Sequence, residues 1–198
     1  MKNKIVFILI FLAVLIVCVS IILWKYSVLN IMGKKYIESI KSPNFYFSFD
    51  DGNSKIDFWK KDNVLKEVVK PNFGTDSLTF WFDAINNSGI TLYNSTKKYS
   101  LNVNGMTYTP PKSNIYSDNK IAMLAINPFC FITVKNYNNI PCYYIKFKNI
   151  EEFISKDTGI VLYSKFNDKI SKVFFSLNSV TDFDVENPNL SNYKNVWD

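Results

Sequence analysis

Between Ile5 and Leu23 the chain runs nineteen residues without a charge or a proline, and only Cys18 and Ser20 interrupt its hydrocarbon side chains. At about 1.5 Å per residue a helix of this length spans roughly 28 Å, the thickness of a bilayer's hydrocarbon core. In lipid the backbone has to satisfy its own hydrogen bonds, so the run can only be a helix. Lys2 and Lys4 precede it, and Trp24, Lys25 and Tyr26 follow it, basic and aromatic residues where headgroups are expected. Retention as an anchor is favoured over cleavage. The apolar core exceeds that of a signal peptide, and the exit Ile22-Leu23-Trp24-Lys25-Tyr26 offers no pair of small residues to cleave after. Nor does Val17 before Cys18 supply the small residue of a lipidation site.

This anchor sets the expected organisation: a flank over 1–4, a transmembrane helix over 5–24, a juxtamembrane helix or connector over 25–42, and one β domain over 43–198. In the connector, Leu29, Met32, Tyr36, Ile37 and Ile40 mark one face of a helix that Ser42-Pro43 ends. The flanking lysines nearly balance across the span, so the positive-inside rule decides little. A short N-terminal flank with a large folded body behind it favours a single-pass cell-membrane protein with its domain outside.

Charge follows the same division. Residues 1–42 carry six lysines and Glu38, whereas residues 43–198 carry seventeen lysines and sixteen acids. Of the excess of +6, +5 therefore sits at the membrane flanks and +1 in the domain; flanking lysines meet anionic headgroups. The domain has no basic field for nucleic acid. With neither histidine nor arginine in the chain, Ser-His-Asp and Cys-His systems are excluded, and so are the commonest zinc ligand and the best phosphate clamp.

From Phe45 the pattern changes to period two. Predicted strands cover 45–49, 55–60, 64–69, 78–85, 90–93, 99–103, 142–148, 152–155, 160–166 and 172–177, separated by Asn-, Asp- and Gly-rich turns. The unbroken apolar run Ile121–Ile126 predicts a short helix over 117–126 lying on the sheet. The polar tail from Asp182 is expected to pack through Val185, Tyr193 and Trp197. The fold class is thus α+β, mainly β: a transmembrane helix followed by a curved antiparallel sheet with a few covering helices. Aromatic residues occur at both parities, as in Phe58-Trp59 and Phe80-Trp81-Phe82, so the outer face is either covered or carries an apolar cleft.

Three motifs invite chemistry and are better explained as structure. Asp157-Thr158-Gly159 resembles an aspartic protease signature, but that chemistry needs two carboxylates, and a β-turn with glycine at positive φ explains the tetrapeptide. Asp50-Asp51-Gly52-Asn53 lacks the ligand spacing of a calcium loop and fits a hairpin. Asp182, Asp184 and Glu186 fit a solvated terminal segment. Cys130 and Cys142 could form a disulfide in an exported domain or remain two buried thiols. In a hairpin turning at Asn138-Asn139, Cys142 would face Lys135 and not Cys130.

The C-terminal third carries a resemblance. Asn138-Asn139-Ile140-Pro141-Cys142-Tyr143-Tyr144-Ile145, followed by Phe153-Ile154-Ser155-Lys156-Asp157-Thr158-Gly159-Ile160-Val161-Leu162 and then Ser179-Val180-Thr181-Asp182 before a Pro188-containing tail, resembles exported Gram-positive proteins of the lipoprotein-carrier (LolA-like) superfamily. The resemblance implies a half-open barrel with helices over its concave side, holding acyl chains, lipids or lipoproteins between sheet and helices. The retained anchor departs from a shuttling carrier and implies a stationary role at one membrane.

Two functions are expected on this footing. In the first, the domain is a membrane-anchored, non-enzymatic binder of a lipid, acyl chain or lipoprotein, with Phe47, Phe58, Trp59, Phe80, Trp81 and Phe82 on the sheet and Met123 and Leu124 on the covering helix as its lining. No cofactor, metal or nucleic acid is expected. The alternative is an interaction, structural or sensor domain of the envelope with a filled core.

Overall fold

The computed structural model describes residues 2–71, 77–101, 109–116, 123 and 127–197. Its first element is one unbroken helix, α1 (Lys2–Lys41), 40 residues and about 60 Å long. No break separates span from connector at Trp24-Lys25-Tyr26. The helix ends where expected: Ser42 N–H returns to the Ser39 carbonyl, and the Ser42 hydroxyl bonds the backbone of Asn44 beyond Pro43.

Twelve strands follow: β1 (Asn44–Asp50), β2 (Ser54–Lys61), β3 (Val64–Pro71), β4 (Leu78–Asp83), β5 (Ser88–Tyr93), β6 (Lys98–Leu101), β7 (Phe131–Tyr137), β8 (Ile140–Phe147), β9 (Ile150–Ser155), β10 (Val161–Phe166), β11 (Lys169–Leu177) and β12 (Lys194–Asn195). They form one open, curved sheet in the order β12-β6-β5-β4-β3-β2-β1-β11-β10-β9-β8-β7. Two meanders, β1–β6 and β7–β11, are joined edge to edge by the antiparallel pair β1–β11. Only the two-residue β12 runs parallel to its neighbour β6. The expected mainly-β class holds, with β7 and β12 added to the strands read from the alternation.

Local chemistry explains the turns. Asp51 accepts hydrogen bonds from the N–H groups of Asn53 and Ser54, and Gly52 takes φ +82°. Asn138 and Asn139 both adopt positive φ, the conformation a two-residue hairpin demands, and they set Lys135 opposite Cys142. Gly159, at φ +70°, closes the turn from β9 to β10 through its N–H to the Ser155 carbonyl.

Packing has two sides. On the helix side, Val28, Leu29 and Met32 meet Ile132, Ile145, Ile154 and Val161 of β7–β10, with Ile115, Met123 and Cys130 from the segment joining the meanders. One turn further along α1, Tyr36 meets Phe45, Phe47 and Phe58 of β1 and β2 and Leu162 and Val173 of β10 and β11. Each large side chain so buried contributes about 1.5–3 kcal/mol. Ile37 lies off this stripe and is exposed. On the outer side, Trp81, Ile90 and Leu92 are covered by Leu190 and Tyr193 of the tail. Aromatics at both parities therefore serve two different covers. Val185 and Tyr193 pack as expected; Trp197 does not, and stands 82% exposed past the end of β12.

Candidate functional site

The expected lining residues that the structure describes are divided between the two faces of the sheet. Phe47 and Phe58 are sealed in the core beneath Tyr36. Phe80 and Phe82 share their face of the sheet, because Glu67 stands between Phe58 and Phe80 and Leu65 between Lys60 and Phe82 in the register. Trp59 and Trp81 point to the outer face. Trp59 packs on Tyr46 with the Lys66 ammonium over its ring, and Trp81 donates its indole N–H to the Val185 carbonyl at 2.8 Å. Met123 is buried in the α1 cluster, and Leu124, like most of the predicted helix over 117–126, lies outside the described residues.

Between α1 and the sheet the described residues leave little room. A void of about 10 Å³ lies among Met32, Gly33, Tyr36, Ser113, Tyr116, Ile154 and Gly159, less than one water requires. The helix sits that close because two glycines allow it. A Cβ on Gly33 would stand 2.0 Å from the Tyr116 ring, and one on Gly159 2.3 Å from the Met32 carbonyl oxygen. Hydrogen bonds lock the contact: Tyr36 to the Pro110 carbonyl, Ser39 to Thr158 and Lys35 to Lys156.

Beneath the joining segment lies a fully buried carboxyl. Glu152 accepts hydrogen bonds from the Ser113 hydroxyl at 2.5 Å and from the backbone and side-chain amides of Asn114 at 3.0 and 2.9 Å. Burial nonetheless raises its pKa above the usual glutamate value, against the lowering effect of those donors. The group staples the joining segment to β9 and is closed to solvent. Cys130 and Cys142 are free thiols in different clusters. Burial pushes Cys130 up to about 11 and Cys142 upward as well, so neither is a thiolate at neutral pH.

The room lies elsewhere. A half-open cleft of about 330 Å³ forms where the β7–β8 hairpin tip meets the middle of the sheet. Its apolar walls are Tyr137, Ile140, Leu162, Val173, Phe174 and Phe175, and Ser48, Asp50, Lys55, Asn138 and Lys172 complete it. A shallower depression of about 450 Å³ beside Tyr163 and Ile170 continues it, sharing Asp50 and Lys172, which face each other across β1 and β11. Beside the cleft the β9–β10 pairing slips between Val161 and Tyr163. Such a bulge bends the sheet, and the Tyr137 ring comes to lie 5.2 Å from Phe153 and 5.7 Å from Tyr163. Burial raises the Tyr137 phenol's pKa. None of the eight expected residues lines it.

The acidic motifs are accounted for structurally. Asp184 caps Thr181 through both its N–H and its hydroxyl, and Asp182 pairs with Lys61 at 2.5 Å.

Comparison with known proteins adds little to this geometry. No family model and no curated protein matches the chain. Among solved structures, a DUF1329 family protein from Desulfovibrio piger is similar at a TM-score of 0.27 and 9% identity, over 84% of this chain and 97% of that one. At this TM-score the match bears on neither mechanism nor ligand. Helix α1 is long and apolar enough to cross a membrane, by its length and composition.

Proposed function

We propose that this chain is a stationary, single-pass membrane protein whose exported domain binds the apolar chain of an amphiphile in the cleft beneath the β7–β8 hairpin tip. The observation that carries the reading is the cleft itself. Its volume of about 330 Å³ falls at the lower end of ligand pockets, which are concave and mostly apolar with a few placed polar groups. Ile140, Leu162, Val173 and Phe175 would contact the chain. Lys172 and Lys55, against the single carboxylate of Asp50, would favour an anionic head. The site is non-catalytic in this reading, because its lining holds no nucleophile beside a base.

Photocrosslinking tests it. The full chain in vesicles is irradiated with a diazirine-bearing fatty acid and the adducts are mapped. Adducts on β11 and the β7–β8 hairpin, lost in Ile140→Trp, are expected. Adducts confined to α1 would overturn the proposal.

A second reading follows from the close contact of α1 with the sheet among the described residues: an interaction or sensor domain that uses its surface alone. It predicts that Ile140→Trp leaves every function of the chain untouched.

A further inference from the structure

The order of contacts along α1 fixes how the sheet stands relative to the end of the apolar span. Lys25 follows that span directly, and its ammonium donates to the Cys130 carbonyl at 2.5 Å and reaches the Pro128 carbonyl at 3.5 Å. Val28 to Met32 then meet Ile132 near the start of β7 and Ile145 of β8, whereas Tyr36, further along, meets Cys142, Leu162 and Phe47. Passing outward along the helix, the start of the β7 edge is therefore what lies nearest the end of the apolar span.

That edge is unusual in composition. Among the described residues β7 pairs only with β8. Free edges are ordinarily guarded by charge or proline, yet Phe129 is 77% exposed, Phe131 57% and Val134 51%. Lys135, Lys146 and Lys148 stand exposed beside them. Aromatic rings backed by lysines suit the headgroup layer, where an apolar body can sink while its cationic neighbours meet anionic lipid.

We infer that the 128–135 edge is a second membrane contact: Phe129 and Phe131 enter the headgroup region of the same bilayer that holds Ile5–Leu23. The inference rests on the anchor reading, since Lys25 marks the bilayer surface only if the preceding residues span it. The occupant is lipid and not a second protein because Lys25 ties this edge to the membrane end of α1. A strand docking there would have to share the space with headgroups.

The test uses the full chain in vesicles of phosphatidylethanolamine and phosphatidylglycerol, with benzoylphenylalanine placed singly at 129, 131, 183, 197 and 16. Phe183 and Trp197 are each 82% exposed and lie on the tail, away from the β7 edge. Lipid adducts at 16, 129 and 131 and their absence at 183 and 197 are expected. Lipid adducts at 16 with none at 129 and 131, or protein adducts at those two positions, would overturn the inference and leave the anchor standing. Absence of lipid adducts at 16 would remove the anchor and the inference together.

Discussion

The two halves of α1 are one helix written for two surroundings. From Ile5 to Leu23 apolar side chains point in every direction and stay exposed, as a span in lipid requires. From Val28 to Ile40 the apolar residues narrow to a stripe, Val28-Leu29-Met32-Tyr36, which is almost wholly buried, while Lys34, Lys35 and Glu38 take the other positions. The change at Lys25 is therefore a change of exposure and not of secondary structure. The second half serves as a covering helix of the sheet, and the core depends on that half alone.

Substitutions in the two halves should behave differently, and the largest effect belongs where α1 meets backbone. Gly159→Ala combines a positive φ with a Cβ against the Met32 carbonyl and Tyr36 N–H, and should cost about 4 kcal/mol. Chemical unfolding of the full chain in micelles would measure it, and a cost below about 1 kcal/mol would show that helix and turn are not pressed together. Leu29→Ala, at a fully buried site, should cost about 3 kcal/mol. Leu15→Ala, one half-helix away and 50% exposed, should leave the domain's unfolding midpoint unmoved. Equal effects would abolish the division.

The pH response sharpens the picture further. Because burial raises the Glu152 pKa above its ordinary 4.5, its contribution to stability is complete below that value and is lost as pH rises through the raised one. Glu152→Gln should therefore gain on the wild type in thermal midpoint between about pH 4 and about pH 8. The surface carboxylates held low, such as Asp184, work in the opposite sense in both proteins and cancel in the difference. A constant difference across that range would mean that the carboxyl keeps its ordinary pKa. Smaller than the effects of Gly159→Ala and Leu29→Ala is that of Tyr36→Phe, which removes the hydrogen bond to the buried Pro110 carbonyl and should cost about 1 kcal/mol.

Much of this architecture was legible because its signals are local. The Asn138-Asn139 turn, the Asp51-Gly52 turn and the alternation of Phe45-Phe47-Phe49 each act within a few residues, and their strands form close to the predicted bounds. The continuity of α1 was only partly legible, because Trp24-Lys25-Tyr26 divides an apolar run from an amphipathic helix in the sequence while the helix itself runs on unbroken. The cleft had no local signature. Its walls come from β1, β2, β7, β8, β10 and β11, strands whose meeting only the whole sheet reveals. Trp81 could be assigned to the face opposite Phe80 from parity alone, but that its cover is the tail carbonyl of Val185 is a long-range fact.

The absence of a break at Trp24-Lys25-Tyr26 has a consequence for what this domain can reach. A flexible tether lets a domain sweep a hemisphere of solution, whereas a stiff post of about 26 Å between Lys25 and Lys41 holds it at one height. With the proposed anchor in a bilayer, encounters would be set by lateral drift in the plane of the membrane, and a ligand of the proposed cleft would have to arrive within that thin layer.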